Sequence, residues 1–307
     1  MIFVSDFYRK LFSCKVYKLS LDAACTCPNR DGTKGTGGCI FCSESGSGDF
    51  AAKAELSVEK QIEEAKAFVE KKVQGRTGMR KGKYIAYFQN FSSTYGDCKS
   101  LCKKYRAALE CEDLIGLALA TRPDCLSDEM LKELAIISKT HFVQIELGLQ
   151  TSNEKTGNFI NRCYTNEDYI DALRRIKKAS PDIHIVTHLI FGLPFESEKD
   201  MMESVRFVVE KNQCAPSSVQ DFFGIKITSL YILENTELAQ LYKEGKVKAL
   251  SKEDYYSLLT NALSLLPENC VIHRLTGDPP KKILIAPEWT KDKKRVLNDL
   301  SKIIRSL

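Results

Sequence analysis

Six short apolar runs, separated by stretches with helical periodicity, constrain this chain more than any other feature of its sequence. The runs are residues 15–21 (KVYKLSL), 84–89 (YIAYFQ), 114–121 (LIGLALAT), 142–149 (FVQIELGL), 183–191 (IHIVTHLIF) and 224–233 (GIKITSLYIL). They are continuous rather than strictly alternating, the pattern of strands buried on both faces. The intervening helices fall at 57–73, 98–109, 127–138, 166–179 and 197–211. Ser57 and Ser127 stand where an N-cap belongs. Ser180-Pro181 ends the fourth helix, because the residue before a proline avoids the helical region. Such alternation predicts an α/β fold with parallel strands and right-handed crossovers. Six units are too few to close an eight-stranded barrel, so the expectation is a partial (β/α)6 TIM-like barrel. After residue 233 the rhythm changes, and helical stretches at 236–244 and 252–265 precede a proline- and charge-rich tail, 271–307. Residues 1–233 thus read as the barrel and 234–307 as a helical C-terminal extension packed on it.

With 307 residues, 43% of them hydrophobic and 28% charged, the chain can bury a large core unaided. Its twelve cysteines are therefore not needed as staples. Residues 1–14 carry only a short apolar stretch broken by Asp6, Arg9 and Lys10, so no signal peptide is expected. No apolar window is long enough to span a membrane. Cysteines in that setting point to the reducing cytoplasm, where thiols stay free or bind metal. A net charge of +5 is compatible with a nucleic-acid partner without specifying one.

Four of the cysteines, Cys25, Cys27, Cys39 and Cys42, share the loop 23–48 with Gly32, Gly35, Gly37 and Gly38. Glycine lets a loop wrap a bulky object and turn its amides toward sulfur. A C-x2-C pair can seat two thiolates on one metal or one cluster. All four thiols could form a tetrahedral zinc site, although C-x-C makes a poor first half of one. Three thiols suit a 4Fe–4S cluster whose fourth iron stays open to a chelating ligand. Spacing alone leaves both readings standing.

Longer motifs carry a resemblance. CPNRDGTKGTGGCIFC (27–42), YFQNFSSTY (87–95), TRPDCL (121–126), ELGLQT (146–151), INR (160–162), HLIFGLP (188–194) and HRLTGD (273–278) occur in order. In these the chain resembles a family of bacterial radical S-adenosylmethionine (SAM) proteins related to the catalytic subunit of Elongator, the tRNA wobble-uridine modification complex. The resemblance implies a 4Fe–4S cluster on Cys27, Cys39 and Cys42, in a C-x11-C-x2-C spacing wider than the C-x3-C-x2-C common among such enzymes, with Cys25 as an extra. SAM would lie across the C-terminal ends of the strands. There Phe41 would pack on adenine, and Gln89, Asn90 and Ser92 would serve the methionine amino group, although no Gly-Gly-Glu is present. Arg122 and Arg162 could each grip a carboxylate, with Arg162 expected on the methionine carboxylate. Glu146, in an apolar strand, needs a ribose hydroxyl or an ion pair, for instance with Arg122. Gln150 would contact ribose or methionine, and Gly192 and Pro194 would let adenine approach the backbone. His188 would be a ligand contact or a core histidine. One electron from the reduced cluster would split SAM to a 5′-deoxyadenosyl radical, the cofactor carrying the hard step.

Substrate-side candidates are Lys226, Tyr231, His273, Arg274 and Asp278. The strand reads KITSLYILENT where the family leads one to expect a histidine, which weakens transfer of any one substrate. Basic runs at 71–83 (KKVQGRTGMRKGK) and at Lys291, Lys293, Lys294 and Arg295 could neutralise the phosphates of a tRNA or simply be solvated. Kinship points to the C5 substituent of a tRNA wobble uridine, with a reductant such as flavodoxin or ferredoxin, and no acetyltransferase domain is expected after the barrel. The competing readings are a radical SAM enzyme acting on a small metabolite or protein, and a zinc-stabilised RNA-binding or regulatory module without catalysis. The remaining cysteines, including Cys98 and Cys102, read as small buried hydrophobes.

Overall fold

A computed structural model describes residues 1–44, 46, 54–73, 82–213 and 222–306. In chain order its elements are β1 (Ile2–Phe3), α1 (Val4–Phe12), β2 (Val16–Leu21), α2 (Val58–Val73), β3 (Lys83–Phe88), α3 (Cys98–Glu110), β4 (Leu114–Thr121), α4 (Asp128–Ile137), β5 (Phe142–Gln150), α5 (Glu154–Phe159) and α6 (Asn166–Ala179). There follow β6 (His184–Phe191), α7 (Glu198–Gln213), β7 (Phe223–Ser229), β8 (Ile232–Leu233), α8 (Glu237–Lys243), α9 (Lys252–Ser264), β9 (Cys270–Arg274), β10 (Leu284–Ala286) and α10 (Lys293–Ser306).

Eight strands form one sheet in the order β1-β9-β7-β6-β5-β4-β3-β2. Every neighbouring pair in it is parallel. The edge strands β1 and β2 are not paired with each other, so the sheet curls into an open half-barrel with helices interleaved. Local signals act as expected. Ser127 accepts from Met130 N, Thr236 caps α8 on Ala239 N, and Thr165 with Asp168 forms a full capping box for α6.

Three expectations change. The segment after residue 233 is not only a helical appendage, because it supplies β9, which sits inside the sheet between β7 and β1. The run 224–233 is broken: β7 stays in the half-barrel, whereas β8 leaves it to pair antiparallel with β10. The strands also alternate after all. In β5, Val143, Ile145, Leu147 and Leu149 pack into the main core under the helices, while Gln144 and Glu146 face the lumen. The lumen positions are buried by the curl of the sheet itself, so polar residues there escape a reading based on solvent exposure. At the N-terminal end of the strands α1 closes the lumen. Phe7 packs 4.8 Å from the His184 ring, and the Tyr8 hydroxyl donates to Gln144 Oε1 at 3.0 Å. Among the described residues no helix is long and apolar enough to cross a membrane.

Candidate functional site: a cysteine-rimmed cavity over a polar lumen

Parallel strands bring all their C-terminal ends to one rim, and a cavity of about 280 Å³ opens there. One wall is the cysteine loop: Cys27, Cys39 and Cys42 all line the cavity, together with Phe41. Tight turns aim them, with Arg30 N on Cys27 O at 2.8 Å and Cys42 N on Cys39 O at 3.0 Å. Arg122 Nη1 lies 3.8 Å from Cys27 Sγ and Asn29 Nδ2 lies 3.9 Å from Cys39 Sγ. Arg30 donates to Ser43 O at 2.5 Å and Cys42 O at 3.3 Å. The hydrogen bond between Cys39 and Cys42, helped by the Arg30 charge, holds the Cys42 thiol below its ordinary range and pushes Cys39 up.

Cys25 stands apart. It packs against the main core, and burial pushes its thiol up to about 11. Among the described residues no group of three or more His, Cys, Asp or Glu is placed to hold a single metal ion. Three soft thiolate donors framing a cavity, rather than converging on a point, fit an iron–sulfur cluster. Ser92 Oγ, buried on the same cavity beside the Cys125 thiol, adds a hydroxyl to a site that receives a polar ligand.

Below the cysteines the lumen is polar. Glu146 is 4% exposed and accepts from Lys18 Nζ at 2.6 Å, Tyr87 OH at 2.7 Å, Gln144 Nε2 at 2.8 Å and Lys226 Nζ at 3.3 Å. Burial alone would raise its carboxyl, yet Lys18 and Lys226 hold it well below the usual range. His184 and His273 meet Nε2 to Nε2 at 2.8 Å beneath, and His188 Nε2 meets Thr228 Oγ1 at 2.9 Å. Burial pushes His184 down to about 3 and lowers His188 and His273 as well, so all three are neutral. On the β7–β9 wall three donors face the cavity. Lys226 meets Glu146 at 3.3 Å and Tyr87 OH at 3.5 Å, and the buried Tyr231 hydroxyl meets the Gly277 backbone and the Thr276 side chain. Arg274 engages Nε on Thr276 O at 2.5 Å and Nη2 on Asp278 at 2.6 Å, leaving Nη1 unused among the described residues.

The structure therefore brings together Cys27, Cys39, Cys42, Phe41, Gln89, Ser92, Arg122, Glu146, Gln150, His188, Lys226, Tyr231, Arg274 and Asp278 on one cavity. Other expected residues go elsewhere. Arg162 is 1% exposed and its five donors end on Tyr164 O, Leu149 O, Thr151 O, Glu154 and Asn166, so it pins the loop after β5 and keeps no donor for a ligand carboxylate. Arg122, the other candidate, is clamped bidentately by Asp124 at 2.8 and 2.9 Å, and the partners of Glu146 are the two lysines, not Arg122. Asn90 turns away to donate to Asp22. Gly192 and Pro194 lie outside the cavity lining; at Gly192 the φ of +84° and the Leu250 side chain, 2.7 Å from where a Cβ would stand, account for glycine. His273 belongs to the lumen floor against His184 and is not a substrate-side group. Of the basic groups, residues 74–81 lie outside the described residues, and Lys293 is paired with Asp278 at 2.5 Å.

Lys18, Tyr87, Asn29 and Arg30 escaped the sequence reading. Lys18 carried a usable signal, since a lysine inside an apolar strand raises the same question as Glu146. Asn29 and Arg30 carried none beyond their place in the cysteine motif.

Comparison with known proteins agrees with this geometry. Residues 31–208 match the Radical SAM superfamily and residues 223–306 the Radical_SAM C-terminal domain. Over 96% of its length the chain is 37% identical to 86% of the protein YtqA of Bacillus subtilis. A shorter match, 26% identity over 56% of this chain and 30% of the other, is to a tRNA uridine(34) acetyltransferase of Methanocaldococcus jannaschii. Among solved structures, the Elp3 of the archaeon Methanocaldococcus infernus, with an N-terminal deletion, superposes with a TM-score of 0.65 at 17% identity. That superposition covers 94% of this chain and 63% of Elp3, and it bears on the fold alone.

Proposed function

Because the chain belongs to the radical SAM superfamily, whose members use a 4Fe–4S cluster and SAM, we propose that it modifies tRNA at the C5 substituent of a wobble uridine. When bound, the cluster supplies the electron that splits SAM into methionine and a 5′-deoxyadenosyl radical, which takes a hydrogen atom from the substrate. Everything else falls to this chain's residues. In this reading Cys27, Cys39 and Cys42 hold the cluster. Phe41, Gln89, Ser92, Gln150 and His188 line the space for SAM, and Arg122 fixes the electrostatics beside Cys27. Lys226, Tyr231, Arg274 and Asp278 face the substrate. A floor sealed by α1 and the buried lumen above it exclude bulk water from the reacting centre. A flavodoxin- or ferredoxin-type protein would deliver the electron.

The observation that carries the reading is the grouping of three thiols on one cavity with Lys226, Tyr231 and Arg274 of the opposite wall, while Cys25 faces the core. The partial likeness to a tRNA uridine(34) acetyltransferase supports the choice of substrate. The test combines two measurements. Anaerobically reconstituted protein with dithionite should release 5′-deoxyadenosine from SAM. Mass spectrometry of tRNA nucleosides from a deletion strain should show a lost or shifted wobble-uridine derivative, restored by the intact gene and not by a Cys39→Ala copy. An unchanged nucleoside profile rejects the tRNA assignment.

A further inference from the structure

The eleven residues between Cys27 and Cys39 do not form one wide span. Gly38 N donates to Asn29 O at 2.8 Å, so the chain leaves at Asn29 and returns to the same point at Gly38. Residues 30–37 fold back on the joint: Lys34 N and Gly35 N both reach Pro28 O, at 2.8 and 3.2 Å, and within the excursion Gly32 N reaches Gly35 O at 3.1 Å. Burial follows the same division. Pro28, Asn29, Gly38 and Ile40 are buried, whereas residues 31–34, 36 and 37 are exposed. With the excursion removed, the order Cys27, Pro28, Asn29, Gly38, Cys39 leaves three residues between the first two thiols, a C-x3-C-x2-C arrangement.

The joint is stapled by one side chain. Asn29 is fully buried and its Nδ2 donates to Asn161 O at 2.5 Å and to Cys39 Sγ at 3.9 Å. Asn161, held at a positive φ of 56°, returns a bond from Nδ2 to Gly38 O at 2.8 Å. Asn29 Oδ1 is left buried without a partner. A buried amide with an orphaned acceptor is a poor choice for stability alone, and its donors point at the joint and at a cluster thiol. Gly35 is required beside it, since a Cβ there would stand 2.3 Å from Asn29 Oδ1.

We propose that the cluster-binding frame is the buried segment 27–29 abutted on 38–42, with residues 30–37 an appended lobe, and that Asn29 is the positioning residue that closes the frame and tunes the cluster through Cys39 Sγ. The proposal rests on the cluster assignment above, which fails separately if the unaltered protein binds no iron. Hydrogen bonds to cluster sulfurs raise the reduction potential. Asn29→Leu, which removes both donors without adding charge, should shed iron faster than the unaltered protein and lower the potential of the cluster it still holds. At the unaltered protein's midpoint the ratio of reduced to oxidised cluster should fall about tenfold, roughly 59 mV for one electron, and the electron paramagnetic resonance signal of the reduced cluster should change. A variant lacking residues 31–37, with Arg30 retained between Asn29 and Gly38 so that its bonds to Cys42 O and Ser43 O are kept, should bind the full complement of iron. An unchanged potential and resonance signal in Asn29→Leu overturns the role of Asn29. A deletion variant that is folded by circular dichroism yet binds no iron overturns the frame. Should that variant not fold, Asn161→Ala decides in its place, since a frame held through Asn161 must shed iron faster than the unaltered protein and one that keeps it equally long refutes the staple.

Discussion

The two faces of the sheet are built on opposite terms. On β5, Ile145 lies on the outer face with no exposure, one of many Leu, Ile and Val side chains packed under the helices, while its neighbour Glu146 faces the lumen and depends on four named partners. Apolar packing is non-directional and shared among many contacts, so the loss of one is partial. A buried charge network fails as a unit, because removing one member leaves the others desolvated and unpaired. The outer face holds the fold, and the inner face holds a chemical arrangement that the fold must tolerate.

The sharpest contrast is between cysteines. Changing Cys27, Cys39 or Cys42 to Ala should abolish iron binding, read by metal analysis and visible absorbance, with little change in the urea midpoint of the iron-free protein. Cys25→Ala should do the reverse, lowering the midpoint while keeping iron. Next in size, Glu146→Leu should destabilise by about 3–5 kcal/mol, since it strands Lys18 and Lys226. Adding Lys226→Met should recover part of that loss, and a strictly additive double variant would deny the network. The histidines come third. All three buried imidazoles titrate below the ordinary 6.5 in the fold. Below that pH the unfolded chain binds more protons, so stability is full above it and falls as the solution is acidified. The slope tends to about 1.4 kcal/mol per pH unit for each histidine. Glu146 acts in the same direction further down, its contribution present above about 4.5 and lost as pH falls toward its depressed folded value. Urea midpoints between pH 7.5 and 5 should drop less steeply in His273→Gln. Smallest of all, Ile145→Val on the outer face should cost about 0.5–1.5 kcal/mol and leave iron content untouched.

Legibility in the sequence divides along the same line. Outward-facing pairs such as Leu117 and Leu119 or Ile183 and Ile185 announced strands because apolar β-formers have few other uses. Capping residues placed the helix ends, and the cysteine motif placed the cluster loop. The lumen was harder. Lys18 and Gln144 looked like interruptions in apolar strands, since nothing in a linear pattern says that curvature buries a second, polar face. Arg162 shows the limit of residue type as a guide: a guanidinium suits a ligand carboxylate and a ring of loop carbonyls equally well, and only the folded path of residues 149–166 decides. The dipeptide strand β1 is too short for any periodicity, and β9 was masked by the proline- and charge-rich composition around it.

The position of β9 sets an order of events during synthesis. Ile2 and Phe3 pair with Val271 and Ile272, and β1 has no other neighbour in the sheet. At the usual pace of translation Ile2 and Phe3 wait on the order of tens of seconds for that mate to be made. Phe7 and Tyr8, which meet His184 and His273 in the finished molecule, wait with them. Closure of this end is therefore a long-range step, and the nascent chain carries an uncovered amphipathic segment until β9 has been made.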